Sequence, residues 1–304
     1  MTTLGGATMG TSWSVRLVAP KRGLPGGLQA GVEAVLARII AQMSQWEPSS
    51  DISRFNRSAP GSWQRLPPEF VHVLTTALAV SDKSEGAFDP ALGIAADHWG
   101  FGASEPPSRP ELEAVPSGRA SIELDALLLR ARRTARAALD FSGIAKGYAV
   151  DRVAAHLHQL GLTDFLVEIG GELSGHGIKP DGQPWWVELE QPPGLRLPGL
   201  RVALHGLAIA TSGDYRRTVE KDGKRLGHTL DPRTGRPLEN QVASLTVLHA
   251  ECMLADAWAT ALTVLGPERG PAIAEREDLA MHMVVREGAG VREIFSPALE
   301  AMLG

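Results

Sequence analysis

Apolar residues return at helical spacing in four stretches of the chain. Leu28, Val32, Val35, Leu36, Ile39, Ile40 and Met43 mark one amphipathic helix. Phe70, Val73, Leu74, Ala77 and Leu78 mark a second, introduced by Pro67 and Pro68. A third begins near Ile144, carries Ala149, Val150, Val153, Ala154, Leu157 and Leu160 on one face, and stops at Gly161. The fourth runs from Cys252 to Leu265 and is ended by Gly266 and Pro267. Elsewhere the pattern predicts strands: Met9 to Val18 (alternating from Ser12), Phe165 to Ile169, Trp185 to Glu190, Leu200 to Leu204, Leu207 to Thr211, Tyr215 to Glu220, Arg225 to Leu230, Val242 to His249, Met281 to Val285 and Val291 to Phe295. Asp222-Gly223 reads as a hairpin turn. Leu127 to Phe141 fits a helix or two short strands equally, SSDISRFN after Pro48 reads as a polar loop, and Gly102 to Gly118, rich in Pro and Glu, reads as a surface connection. No internal repeat is visible. At 304 residues the chain is long enough for one large domain or about two ordinary ones.

Composition narrows the classes. The net charge is −5 with both signs interspersed, so no basic face suits a polyanion and nucleic acid is not expected as a partner. No apolar run approaches the roughly 18 residues of a membrane span. The N-terminus lacks a basic region followed by an apolar core. A cytoplasmic location fits the chain as it stands, and a periplasmic or anchored one requires a leader before it. Cys252, the single cysteine, lies among apolar residues and excludes an intrachain disulfide; its surroundings suit a buried thiol better than a nucleophile.

Candidate chemistry centres on DFSGIAKGYAVD, Asp140 to Asp151, which reads as a strand end, a glycine turn and a helix opening. Unpaired N–H groups and the positive end of a dipole at such a helix start suit an anion, and Gly143 and Gly147 allow close approach. A phosphate loop is excluded because Lys146 precedes Gly147 and Tyr148 follows, and a Ser-x-x-Lys pair fails because Ser142 and Lys146 are four apart. The glycines alone leave open a turn that only joins strand to helix. Asp256 and Thr260, four apart on a helix, share one face and offer hard oxygens suited to one Mg²⁺; on a helix apolar nearly all round, a lone carboxylate needs a partner. The plainer alternative makes Asp256 a solvated residue and Thr260 a packing one. His228 heads a polar turn with Asp231, Arg233, Thr234 and Arg236. Trp99 and Phe101, set among Gly100 and Gly102, suit either core packing or a wall against a flat ligand. His156 and His158 point to opposite sides of their helix and read as surface residues.

Taken in order, MGTSW at Met9, MSQWEPSSDISRFN from Met43, FDPAL, WGFG, LDFSGIAKGYAVD, IGGELSGHG, ATSGDYRR at Ala210, GHTLDPRTGRP from Gly227 and ADAWATAL at Ala255 resemble the FAD:protein FMN transferase family, often called ApbE. The resemblance spans almost the whole chain. It implies an α+β fold in which one ApbE-like domain over 1–304 is built of two intertwined lobes, with mixed or antiparallel sheets flanked by helices and FAD in the cleft between the lobes. The implied activity is Mg²⁺-dependent transfer of FMN from FAD to a Thr or Ser hydroxyl of a client flavoprotein, with release of AMP. An Mg²⁺-dependent FAD pyrophosphatase and a non-enzymatic flavin carrier are the alternatives.

By position, the resemblance implies that Met9, Trp46, Trp99, Gly100 and Phe101 line the flavin or adenine pocket, with Asp140 and Lys146 at the nucleotide. It implies that the Gly143 carbonyl, Asp256 and Thr260 hold the metal, and that His228 is the base for the acceptor hydroxyl. Trp46 stands where a tyrosine is common. Ala259 replaces a second acidic residue found in some members, which implies a single Mg²⁺, weakly held without nucleotide.

Overall fold

The computed structural model describes residues 1–105, 118–195, 197–215, 218–221, 224–288 and 290–303. Among the described residues, eight strands form one sheet in the order β1 (Thr2–Thr8), β2 (Thr11–Leu17), β6 (Phe165–Ile169), β7 (Glu172–His176), β10 (Leu207–Gly213), β15 (Val242–His249), β16 (Ala280–Glu287) and β17 (Gly290–Phe295). Every neighbouring pair is antiparallel. The remaining elements, in chain order, are α1 (Leu28–Met43), α2 (Asp51–Arg57), β3 (Gln64–Arg65), α3 (Pro68–Lys83), α4 (Gly93–Trp99), β4 (Ile122–Asp125), β5 (Arg130–Arg133), α5 (Ala145–Gln159), β8 (Trp185–Glu188), β9 (Arg201–Leu204), β11 (Thr218–Lys221), β12 (Lys224–Gly227), β13 (Leu230–Asp231), β14 (Arg236–Pro237), α6 (Cys252–Arg276) and α7 (Pro297–Leu303). The α+β class implied by the family resemblance is the class observed.

Period-two alternation distributes the strand side chains to two apolar layers. Phe165, Val167 and Ile169 of β6, Ala208 and Ala210 of β10, and Met281, Met283 and Val285 of β16 face the main core with α1, α3, α5 and α6. Leu166, Ile209, Leu248 and Ala280, one position out of phase, face a second layer closed by Trp185, Val202, Leu204 and Leu299. Both faces of the sheet are therefore covered, so β15 is buried at seven of its eight residues. Burying each large side chain fully, as for Leu17, Ile39 or Leu74, is worth about 1.5–3 kcal/mol.

Several elements depart from the sequence reading. β1 was not expected, because TTLGGAT carries two glycines and little alternation; it exists through pairing with β2 across Met9 and Gly10, whose φ values of 48° and 72° suit a two-residue hairpin turn. The expected polar loop SSDISRFN is instead α2. Ser50 caps it by accepting from the Ser53 N–H at 3.1 Å, and Ile52 and Phe55 are buried beneath it. Seven residues are too few for periodicity to register. Leu127 to Phe141 resolves to strand β5, in a small sheet ordered β3-β5-β4. The expected break at Gly266 is present, with φ 68° and ψ −172°, but a second helical segment continues to Arg276. Pro267 opens that segment, where its missing N–H costs nothing. The chain ends in α7 and not in a strand. The Asp222-Gly223 turn and most of the Pro-rich connection, 106–117, lie outside the described residues.

The tightest contact in the core is the crossing of α5 and α6. A Cβ at Gly147 would lie 2.3 Å from the Cys252 carbonyl oxygen and 2.8 Å from Asp256 Cβ. Two backbones touch there, and only glycine permits it. Replacement of Gly147 by Ala is expected to cost at least about 1–3 kcal/mol, read as a lower urea midpoint at unchanged m-value.

Candidate active site

The crossing of α5 and α6 buries both helix N-termini, whose first N–H groups have no partner within their own helix. Each is supplied by the other helix. Asp151 of α5 accepts from the Cys252 and Met253 N–H groups at 2.8 Å each. Asp256 of α6 accepts from the Gly147 N–H through Oδ2 at 3.0 Å. A carboxylate at a helix N-terminus is favoured by the dipole as well as by the hydrogen bonds. Burial nevertheless pushes the Asp151 carboxyl up to about 6, against the lowering effect of its two N–H donors.

With Oδ2 of Asp256 tied to the backbone, Oδ1 is turned toward Lys146, whose Nζ lies 3.9 Å away. Lys146 donates its short bond elsewhere, to Glu172 Oε1 on β7 at 2.7 Å. Glu172 is 2% exposed and Asp256 4%. Lys146, expected at the nucleotide, thus stands between two buried carboxylates.

The Gly143 turn approaches the same place from the other side. A Cβ at Gly143 would sit 2.9 Å from Thr260 Oγ1 and 3.4 Å from the Phe88 ring, so the glycine is needed for contact with the threonine. Ser212 Oγ on β10 is 3.5 Å from Thr260 Oγ1. Asp140, expected as a nucleotide contact, accepts from the Ser142 N–H at 2.8 Å and shapes the turn. Asn56 of α2 fixes the segment leading in, accepting from the Leu139 N–H at 2.7 Å and donating to its carbonyl at 2.8 Å. Among the described residues no three His, Cys, Asp or Glu side chains gather to hold a metal. A cation here would rest on carboxylate, hydroxyl and carbonyl oxygen, the donor set of a hard ion such as Mg²⁺. The buried Asp256 oxygen beside Thr260 and the glycine turn fits that group.

The aromatic candidates gather around α4. Phe101 is 5% exposed, packs with Ala95, Ala96 and Leu230, and meets the His228 ring edge-on at 6.4 Å. Trp99 donates its indole N–H to the Gly235 carbonyl at 2.7 Å, fastening the GHTLDPRTG turn to the helix. Gly100 terminates α4 at φ 79°. Trp46 is 52% exposed beside Gln45, which reaches Ser142 Oγ at 3.4 Å. Met9, at the β1–β2 turn, is half-buried against the main core. Gly227 and Thr229, flanking His228, line a cleft of about 320 Å³ together with Asp214, Tyr215, Asn240 and Thr263. Of the helix histidines, His158 is exposed as expected and lies 3.2 Å from His176. His156 is half-buried and stands over Gly31 of α1.

Glu172, Ser212 and Asp151 were not singled out in the sequence, and Asn56 was named only within a polar loop that could be exposed or wall a ligand. Glu172 and Asp151 sit inside motifs that were, but a carboxylate's burial and partner cannot be read from spacing.

Solved flavin transferases share the fold that carries this site. The structure is similar to the apo form of the flavinyl transferase ApbE of Pseudomonas stutzeri, at TM-score 0.90 and 38% identity, covering 100% of this chain and 96% of that one. It is equally similar to the flavin transferase ApbE of Vibrio cholerae, at TM-score 0.91 and 32% identity, covering 99% and 98%. Residues 9–284 match the ApbE family. The FAD:protein FMN transferases of Vibrio cholerae serotype O1 and Escherichia coli K12 are 35% and 32% identical to it, over 99% and 100% of this chain and 92% and 89% of theirs. The chain belongs to the ApbE family, and it is a transferase.

The raised Asp151 value gives this site a pH signature. The folded protein holds the Asp151 proton more tightly than the unfolded chain, whose value is near 3.8. Stability from this group is thus fully present below pH 3.8 and lost as pH rises through about 6. Wild-type stability measured against Asp151→Asn is expected to fall by about 3 kcal/mol between pH 3.5 and 7, as read by denaturant unfolding at a series of pH values. A difference that rises over that window contradicts the assignment.

Proposed function

We propose that the protein is an Mg²⁺-dependent FAD:protein FMN transferase that moves FMN from FAD to a Thr or Ser hydroxyl of a client flavoprotein and releases AMP. The observation that carries this reading is the convergence of Gly143, Asp256 and Thr260 on one point, beside a lysine and a glycine-opened helix N-terminus. The names of the relatives support the FAD substrate and the protein acceptor.

In the proposed reaction the acceptor oxygen attacks the phosphorus of the FMN half of FAD, the bond to the AMP oxygen breaks, and AMP departs. Mg²⁺, held by the Gly143 carbonyl, Asp256 and Thr260, supplies charge neutralisation at the diphosphate. The protein's own residues carry the remaining tasks. The Gly147 N–H fixes the Asp256 carboxylate so that one oxygen faces the ligand side. Lys146 brings positive charge to the nucleotide, and the N-terminus of α5 adds its dipole. His228 takes the proton of the acceptor hydroxyl. The cleft beside it, between β12, β13 and α6, opens next to that base. Met9, Trp46 and the Trp99–Phe101 segment line the flavin or adenine pocket, with the shape of Phe101 and His228 set by their mutual packing. Residues Trp13 to Val285 share one apolar core, which supports a single ApbE-like domain with the nucleotide held between its two lobes.

Incubation with FAD, Mg²⁺ and a candidate client tests the reading directly. FMN covalently on the client is expected; free FMN and AMP indicate a pyrophosphatase, and intact FAD a carrier. Asp256→Asn keeps shape and one oxygen but loses the charge, so transfer is expected to be abolished at low Mg²⁺, with the fold kept and partial recovery as Mg²⁺ is raised. His228→Ala is expected to slow transfer by about 10²–10⁴-fold with no recovery at high Mg²⁺. Full activity of Asp256→Asn at low Mg²⁺ contradicts the assignment of the metal ligands.

A further inference from the structure

We infer that Glu172 is a positioning residue for the cation site: by holding the Lys146 ammonium, it keeps the outward oxygen of Asp256 open to a divalent cation. This rests on the reading above that Asp256 holds the metal.

Lys146 has two carboxylates within reach and uses them unequally. Its Nζ is 2.7 Å from Glu172 Oε1, a full charge-assisted hydrogen bond, and 3.9 Å from Asp256 Oδ1, a distance of charge attraction without a hydrogen bond. Glu172 can maintain that preference because it lies on β7, inside the eight-stranded sheet, and its side chain is almost fully buried. Lys146 is on the first turn of α5, with its side chain 31% exposed, so the ammonium retains room to swing. Asp256 has no such freedom, because the Gly147 N–H holds its other oxygen.

The consequence follows from competition for one oxygen. Lys146 is a compact point charge with three donors and no fixed geometry. Released from Glu172, it would close the gap to Asp256 Oδ1 and take the lone pairs that a cation needs. Anchored as it is, it offsets part of the repulsion between two buried carboxylates while leaving Oδ1 accessible. Glu172 therefore sets the strength of cation binding through the position of Lys146, and it need not be a ligand itself.

Mn²⁺ binding without nucleotide, followed by loss of the free-ion EPR signal, tests this in the whole protein. Glu172→Gln is expected to weaken Mn²⁺ binding about tenfold. Lys146→Gln, which can still donate to Glu172, is expected to tighten it. In the Lys146→Gln background, Glu172→Gln is expected to change Mn²⁺ affinity by less than about twofold, because the competitor is gone. Equal weakening by Glu172→Gln in both backgrounds overturns the inference, since Glu172 would then act by its own charge or as a ligand. Unchanged affinity of the single Glu172→Gln variant overturns it as well. If Glu172→Gln does not fold, Glu172→Asp, which keeps the charge and shortens the reach to Lys146, carries the same comparison. Asp256→Asn is run alongside: wild-type Mn²⁺ affinity in that variant overturns the metal-ligand reading on which the inference stands, and so separates the two failures.

Discussion

Two helix N-termini buried against each other, each capped by a carboxylate of the other, hold this structure together. Neither end could be buried otherwise, because unpartnered N–H groups in the interior are costly. The arrangement requires backbones in contact, and the absent side chain of Gly147 provides it. Asp151 supplies one cap and Asp256 the other. Asp256 serves architecture with one oxygen and turns the second toward Lys146. The same hydrogen bond that closes the α5 terminus orients the proposed ligand.

Charge balance around that point is equally constrained. Asp256 and Glu172 are both buried and ionisable, and Lys146 reaches toward both. Buried charges are tolerated where they are paired and hydrogen-bonded. Lys146, Glu172 and Asp256 meet that condition. Asn56, from a helix distant in sequence, clamps Leu139 on both its backbone groups and holds the turn in place. These contacts join α2, α5, α6, β7 and β10, and no pair of these is adjacent along the chain.

The long elements were legible because their physics is local. Leu28–Met43 and Val242–His249 match the expected helix and strand to the residue, since a 16-residue apolar stripe or an eight-residue apolar run has few other solutions. The break at Gly266 followed from Gly-Pro, and the α5 stop from Gly161. Asp256 and Thr260 could be placed together because a helical turn brings residues four apart onto one face. The ordered motifs by themselves point to the ApbE family.

What the sequence determined by itself is therefore the long elements, the family and the residue types at the site. Tertiary structure decided their partners. β1 is a strand only because β2 pairs with it, and α2 a helix only because Ser50 caps it over a pocket for Ile52 and Phe55. Lys146 lies 26 positions from Glu172, and Asp151 lies 101 from Cys252. Hydrophobic periodicity records which face of an element is buried. It carries no record of which other face lies opposite, and the hydrogen bonds that orient Asp256, Lys146 and the Gly143 turn all run between such faces.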